Sequence, residues 1–250
     1  MEAIRAIVPA AGKGSRLQKI SNDMPKAMLS VNRRPMIDFV LENISFIDDS
    51  DIYIVVGYGK DKIIEHLGDK HHYVEQKQQL GTGHAVMMAK DFLEKHDGNV
   101  VILNGDAPFM SAETIEKSLS QHVSTGCAAT VISARVDDPA GYGRIVRDEN
   151  GNLKAIVEHK DADEDTLKID EVNSGGYWFD CKMLLSVLGS IKSDNKAGEY
   201  YLPDAIKLLL QNGKTVGAYT AECSDAVLGA NDPAQLEELN QIALKKGYSC

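Results

Sequence analysis

Apolar and polar positions along this chain fall into blocks, and the blocks switch between the strand period and the helix period. Residues 3–8 are apolar except for Arg5, which predicts a buried first strand. A polar loop with two glycines follows. Residues 35–46 then place Met36, Val40, Leu41 and Ile44 at helical spacing, with Pro35 suited to the first turn. Residues 51–56 read as a second strand ending at Gly57, residues 60–67 as a short helix, and residues 73–75 as a third short strand. From Gln76 a polar glycine turn leads into an apolar helix running to about residue 93. Residues 100–103 are wholly apolar and stop on Asn104, Gly105 and Asp106.

The second half changes rhythm. Residues 128–134 are strand-like, and residues 142–146 and 153–158 flank Asp148-Glu149-Asn150-Gly151-Asn152, a hairpin-turn signal. Residues 172–180 form another strand-like segment, residues 182–191 and 203–210 read as helices, and residues 216–220 as a late strand. A last helix spans 232–246, with Pro233 at its start and Leu236, Leu239 and Ile242 or Ala243 on one face. Strands alternating with helices predict an α/β fold: a Rossmann-like, mostly parallel but mixed sheet with helices on both faces, carrying a small antiparallel insertion. No repeat or low-complexity linker divides the chain, so residues 1–230 are expected to form one domain and residues 231–250 a linker-like terminal helix.

In such sheets ligands bind beyond the carboxyl ends of the strands. The loops after Val8, Glu75 and Leu103 all lie there and can converge on one crevice.

Composition narrows the ligand. The chain has 250 residues and a formal charge of −10, which argues against general nucleic-acid or anionic-membrane binding. Yet residues 12–26 hold Lys13, Arg16 and Lys26. A basic loop in an acidic protein suits a small polyanion, and a polyphosphate is the obvious guest. Cys127, Cys181, Cys223 and Cys250 are far apart with no C-x-x-C pair, so reduced thiols in a cytosol are expected. No apolar run approaches the roughly 18 residues of a membrane span. Glu2, Arg5 and the early glycine loop also argue against a signal peptide.

The loop itself is neither of two better-known glycine loops. The Walker spacing G-x-x-x-x-G-K-[ST] does not occur, and Leu17 stands where the dinucleotide fingerprint needs its third glycine. Gly12 and Gly14 still free the backbone for positive φ and for main-chain N–H groups to approach an anion. Pro25 biases Met24 toward extended backbone and sets the approach of Lys26. Asp106, directly after a buried strand, is placed to hold Mg²⁺ on a triphosphate or else to cap the next turn. Asn231 admits two readings, a second oxygen ligand or a helix cap, and Asp232 competes for both.

Glu158 to Asp161 and Glu171 to Gly176 border strands and carry groups that hydrogen-bond sugar hydroxyls, while Gly141 to Arg144 either brings N–H groups to a ligand or makes a tight turn. Glu199-Tyr200-Tyr201 reads as a packing cluster. The histidines form no zinc spacing with cysteines, adjacent His71 and His72 read as a solvated turn, and there is no G-x-S-x-G elbow.

Four ordered motifs carry a family resemblance. Ala10-Ala11-Gly12-Lys13-Gly14-Ser15-Arg16-Leu17 with Pro25-Lys26 is similar to the activating loop of sugar-1-phosphate nucleotidyltransferases. Gln79 to Ala85, Asp138 to Arg144 and Ile156 to Ala162 narrow it: together they resemble the uridyltransferase domains of bacterial bifunctional N-acetylglucosamine-1-phosphate enzymes, over residues 4–244.

The resemblance implies the nucleotide-diphospho-sugar transferase fold, with a nucleotide half over about 1–110 and a sugar half over about 111–230. It implies that Arg16 and Lys26 hold the triphosphate, that Gly12 and Gly14 shape the loop, and that Ala10, Ala11, Gln76, Gly81 and Thr82 select the nucleoside. By the same likeness Asp106 and Asn231 bind Mg²⁺, and Asn104, Gly141, Glu158, Asn173 and Ser174 lie at the amino sugar.

The reaction it implies joins UTP and N-acetylglucosamine-1-phosphate to give the UDP-sugar and pyrophosphate. Two departures stand out. The bifunctional relatives continue into a long helix and a left-handed β-helix that transfers acetyl groups and trimerises, whereas this sequence ends at Cys250, so neither property is expected of it. Asn104 also replaces a tyrosine typical before Gly-Asp in those relatives, which leaves open another sugar phosphate, nucleotide or phospho-alcohol. A nucleotide-sensing module without turnover is the reading from another class, and it would call for loss of Arg16, Lys26 or Asp106, all of which are present. A dinucleotide oxidoreductase fits less well, because Gly57 and Tyr58 follow the second strand where an acid is wanted.

Overall fold

In the computed structural model, which describes residues 3–17 and 23–247, the first apolar block forms β1 (Ile4–Pro9). The first half continues with β2 (Ser30–Val31), β3 (Arg34–Pro35), α1 (Met36–Asn43), β4 (Ile52–Val56), α2 (Lys60–Leu67) and β5 (His72–Glu75). Then come α3 (Thr82–Met88), α4 (Lys90–Glu94), β6 (Asn99–Ile102) and α5 (Ala112–Thr125). The second half contributes β7 (Ala129–Arg135), β8 (Arg144–Arg147), β9 (Leu153–Val157), β10 (Glu171–Asp180), α6 (Cys181–Leu188), α7 (Pro203–Gln211), β11 (Val216–Thr220) and α8 (Pro233–Lys246).

The main sheet runs β11-β7-β10-β6-β1-β4-β5. β1 pairs in parallel with β4 and β6, β4 with β5, and β7 with β11, while β10 runs antiparallel to both β6 and β7. The β8–β9 hairpin hangs from the start of β10 through the Val172 and Arg144 pair. This is the mixed sheet with an antiparallel insertion that the block pattern predicts.

Strand alternation explains why both faces are covered. Ile7, Val100, Ile102, Tyr177 and Phe179 point to one face, where α3, α4, α6 and α7 supply Val86, Phe92, Leu184 and Ile206. Their neighbours Ala6, Val8, Val101 and Trp178 point to the other, against Ile37 and Val40 of α1, Ile63 of α2 and Ile115 of α5. Trp178 is fully buried, and its indole N–H donates to Ser118 Oγ at 2.9 Å, which satisfies the one polar atom of the side chain. A third, smaller core joins Leu17 of the glycine loop to Leu29, Val31 and Met36 and to Leu239 and Ala243 of α8. Complete burial of Leu17 contributes about 2 kcal/mol toward fixing that loop.

Several boundaries differ from the periodicity. The first helix stops at Asn43 rather than residue 46, because Ile44 and Ile47 turn into the core and the backbone tightens to i→i−3 bonds such as Ile47 N–H to the Ile44 carbonyl at 2.9 Å. The apolar helix expected to continue to residue 93 breaks at Ala89 (φ −91°, ψ 14°), which gives α3 and α4. The β2–β3 hairpin turns on Asn32 and Arg33 with φ of 48° and 69°, without the glycine that usually announces such a turn. His72 lies in β5, stacked on Tyr53, and not in a turn. Cys127 and Cys181 are buried free thiols and Cys223 an exposed one; Cys250 lies outside the described residues. Among the described residues no helix is long and apolar enough to cross a membrane.

Candidate active site

The loops after β1, β5 and β6 meet at the carboxyl edge of the sheet, as the strand order requires. Residues 10–14 are fixed by backbone bonds from both sides. Ala10 N–H donates to the Val55 carbonyl at 2.8 Å, Tyr58 N–H to the Ala11 carbonyl at 3.2 Å, and Lys26 N–H to the Gly12 carbonyl at 3.2 Å. Gly14 has φ +62°, and a β-carbon there would lie 3.3 Å from Lys26 Cβ and Cγ, so the glycine makes room for the lysine stem. Gly12 has nothing within 4 Å of a would-be β-carbon and lines an open cavity of about 380 Å³.

That cavity is bounded by Ala10, Ala11, Gly12 and Lys26 on one side and by Gln76, Gly81 and Thr82 on the other. Gln76 is almost fully buried; its amide lies 3.2 Å from the Gly81 carbonyl, to which it donates, and 2.9 Å from His84 Nδ1. The Gly81–Gly83 turn is held by the segment before α7. Gly83 N–H donates to the Tyr200 carbonyl at 2.8 Å, Tyr200 N–H donates to the Leu80 carbonyl at 2.8 Å, and Thr82 Oγ1 accepts from Leu202 N–H at 3.1 Å. Glu199–Tyr201 is therefore the wall behind the turn, and Glu199 itself lines the cavity.

A second cavity, of about 260 Å³, adjoins the first and shares Thr82, Asn104, Asp106 and Asn231 with it. Its far side is Gly141, Tyr142, Glu158, Asn173 and Ser174, all drawn from the second half of the chain. Arg144, 1 % exposed, donates to the Tyr142 and Leu167 carbonyls and so supports the Gly141–Gly143 turn from below; desolvation lowers its guanidinium pKa. A bulge in β10 between Asn173 and Gly176, with Gly175 at φ +79°, re-aims the side chains there. The amide of Asn173 donates to Tyr177 OH at 2.6 Å and accepts from Gly175 N–H at 3.0 Å. Ser174 Oγ donates to the Ile132 carbonyl at 2.7 Å, so the fold already uses that hydroxyl. Asn104 leans over the same bulge: a β-carbon at Gly175 would lie 2.3 Å from its Nδ2.

Glu158 sits just past β9, with Oε1 3.0 Å from where a Gly143 β-carbon would be, and its carboxylate has no hydrogen-bond partner among the described residues. Burial, reinforced by Asp161, Asp204 and Glu199, pushes its pKa up. It is an acceptor held in a poorly solvated place, the condition in which a hydroxyl donor is most welcome.

Where the two cavities meet, three groups converge. The Lys26 ammonium pairs with Asp106 and donates to Asn231 Oδ1 at 2.8 Å. Two glycines permit this approach. A β-carbon at Gly105 would lie 3.2 Å from Ala10 Cβ and the Pro9 carbonyl, and one at Gly229 would lie 3.1 Å from the Asp106 carbonyl. The helix caps are held by other residues. Ser111, not Asp106, caps α5, with Oγ accepting from Thr114 N–H at 3.2 Å. Asp232 caps α8, accepting from Gln235 N–H at 2.9 Å, while Gln235 Oε1 accepts from Asn231 N–H at 2.8 Å, which leaves the Asn231 side chain to face Asp106.

Arg16 stands apart. It is exposed on the short turn Ser15–Leu17, lines neither cavity, and makes no hydrogen bond or ion pair with the described residues. Gly14 likewise lines neither cavity and acts through Lys26. Sequence reasoning missed Tyr177, Leu202 and Val227 as cavity walls, and Glu199, read there as part of a packing cluster, also lines the first cavity. No local signal marks them, because each faces the site only through the packing of a distant segment.

The nucleotidyl transferase family model matches residues 5–225. The chain is 42% identical over 242 residues to the bifunctional protein GlmU of Clostridium botulinum (strain Loch Maree / Type A3), covering 96% of this chain and 52% of that protein. It is 43% identical over 237 residues to the bifunctional protein GlmU of Bacillus mycoides (strain KBAB4), covering 95% and 51%. The chain thus spans about half the length of these relatives. A crystal structure described as a glucose-1-phosphate thymidylyltransferase from Bacillus anthracis, in complex with a sucrose, superposes with a TM-score of 0.79 at 22% identity, covering 96% of this chain and 95% of that one, a likeness of fold.

Proposed function

The chain belongs to the nucleotidyl transferase family, and from that premise we propose that it forms UDP-N-acetylglucosamine and pyrophosphate from UTP and N-acetylglucosamine-1-phosphate. The observation that carries the reading is the junction of the two cavities at Lys26, Asp106 and Asn231. A nucleotide in the cavity beside the glycine loop and a sugar phosphate in the cavity beside Glu158 would bring their phosphates together there.

The nucleophile is an oxygen of the sugar phosphate, already anionic because a phosphate monoester has its second pKa near about 6. It attacks the α-phosphorus in line; the new O–P bond forms as the bond to the β-phosphate oxygen breaks and pyrophosphate leaves. No proton need be removed by the protein. Catalysis then rests on alignment and on charge placed where it develops. Lys26 and the loop backbone at Ala11 and Gly12 border the triphosphate, and Arg16, exposed on its turn, reaches it only if the loop folds inward over bound nucleotide. Gln76, Gly81 and Thr82 border the nucleoside; Gly141, Glu158 and Asn173 border the sugar.

The chemistry of the Asp106–Asn231 pair fits Mg²⁺. Two hard oxygen donors converge on a point where a cation, the ammonium, already sits, and Mg²⁺ characteristically takes one or two protein oxygens plus phosphate and water. Among the described residues no group of three His, Cys, Asp or Glu competes as a metal centre. When bound, the ion would neutralise and orient the triphosphate.

Asn104, at the wall shared by both cavities, favours keeping a second reading in view: the same chemistry on another sugar phosphate or nucleotide. The test is pyrophosphate release with Mg²⁺ across UTP, dTTP, CTP, ATP and GTP, against a panel of sugar-1-phosphates and phospho-alcohols. Rapid release with UTP and N-acetylglucosamine-1-phosphate alone supports the proposal. A different preferred pair moves the substrate assignment, and binding without release supports a sensing module instead.

A further inference from the structure

Lys26 does not point freely into the cavity that would receive a triphosphate. Its ammonium is seated on Asp106 and Asn231, the two oxygen donors read above as the metal pair. The seating is built into the backbone. Pro25 is extended (φ −63°, ψ 149°), Lys26 N–H is tied to the Gly12 carbonyl, and the stem runs over Gly14. The lysine and aspartate side chains are only 16% and 25% exposed, so solvent screens the pair incompletely.

A divalent ion bound by these oxygens would stand about 2.0–2.1 Å from each. An ammonium 2.8 Å from Asn231 Oδ1 occupies that same space, and the two cations would repel at a distance where attraction to one carboxylate cannot hold both. One must leave. The lysine is on a flexible stem, and the cavity it also lines is where phosphate oxygens would offer it a new partner.

We propose that Lys26 is the resident counter-cation of the Asp106–Asn231 pair, and that metal binding displaces its ammonium and hands it to the triphosphate, so that metal and nucleotide bind cooperatively through this one side chain. The proposal rests on the reading of Asp106 and Asn231 as metal ligands. It assigns Lys26 two successive partners. Before substrate it keeps a half-buried carboxylate paired; afterwards it supplies positive charge at the reacting phosphates. The coupling is reciprocal: whatever the metal gains from nucleotide, the nucleotide gains from metal.

The test titrates the full chain with Mn²⁺ alone, following free Mn²⁺ by electron paramagnetic resonance. Lys26→Met removes the competing charge and keeps the stem; it should bind Mn²⁺ at least about fivefold tighter than the parent, while Asp106→Asn should lose binding. Equal or weaker binding by Lys26→Met, with Asp106→Asn still lost, overturns the displacement and leaves the metal site standing. Binding indifferent to Asp106→Asn removes the metal site and the proposal with it. A second measurement needs no variant: acetylation of Lys26 by an amine-reactive reagent, read by mass spectrometry, should accelerate several-fold when Mn²⁺ is added, and an unchanged rate at saturating Mn²⁺ overturns the proposal.

Discussion

Gly81 lies so close to the Tyr200 main chain that a β-carbon at position 81 would sit 2.6 Å from the Tyr200 carbonyl oxygen and 2.9 Å from its nitrogen. The glycine also has φ +114°, a conformation L side chains rarely adopt. Gly81→Ala should therefore separate the turn from its wall and cost about 1–3 kcal/mol. Urea denaturation would measure the loss, and nucleotide affinity should fall with it because Gln76 hydrogen-bonds the Gly81 carbonyl. A variant as stable as the parent would mean that the wall yields.

Asn231 and Asp232 are neighbours with separable duties. Asp232→Ala removes the α8 cap and should cost about 1 kcal/mol with activity largely kept. Asn231→Ala should leave stability nearly unchanged and lower pyrophosphate release on the order of a hundredfold. Thermal melting and a rate assay on both variants separate the roles; the reverse pattern would exchange them.

Glu158 offers a trade between stability and binding. Its pKa is raised in the fold, so the folded chain holds the proton more tightly than the unfolded chain does, and stability falls as pH rises above 4.5 through the raised value. Glu158→Gln removes that loss. The variant should melt higher than the parent at pH 7, match it more closely below pH 4.5, and bind sugar phosphate more weakly. A lower melting temperature at pH 7 would show that the carboxylate is stabilised by a contact of its own.

His122 should make the fold acid-sensitive. It is 2% exposed between Thr130 and Asn99, and burial pushes its pKa from 6.5 down to about 4. The unfolded chain takes up the proton first, so the contribution present above pH 6.5 is lost as pH falls toward 4, a change on the order of 3 kcal/mol. His122→Gln, though less stable at pH 7, should lose less on acidification. Urea midpoints at pH 7 and pH 4 for both chains would show it, and parallel losses would place the acid sensitivity elsewhere.

The sequence by itself determined the layers and the local character of the glycine loop. Near-continuous apolar runs such as residues 3–8 and 100–103 are accommodated as strands covered on both faces, and the helix stripes between them supply the cover. Residue type and spacing also sufficed to single out Gly14, Lys26 and Asp106, which the fold brings to one sheet edge, because positive φ, cationic charge and a strand-end carboxylate are local properties. The tertiary structure decided which of two equivalent readings a polar residue takes. Asp232 rather than Asn231 caps α8, and Ser111 rather than Asp106 caps α5, because the glycines at 105 and 229 let two distant turns close on each other. It also decided that Lys26 contacts Asn231 across 205 residues of chain, and that Glu199 lines the cavity beside the glycine loop. Those facts depend on strand order and long-range packing, which no local pattern encodes: a side chain's partner is fixed only when the sheet brings the other loop to it.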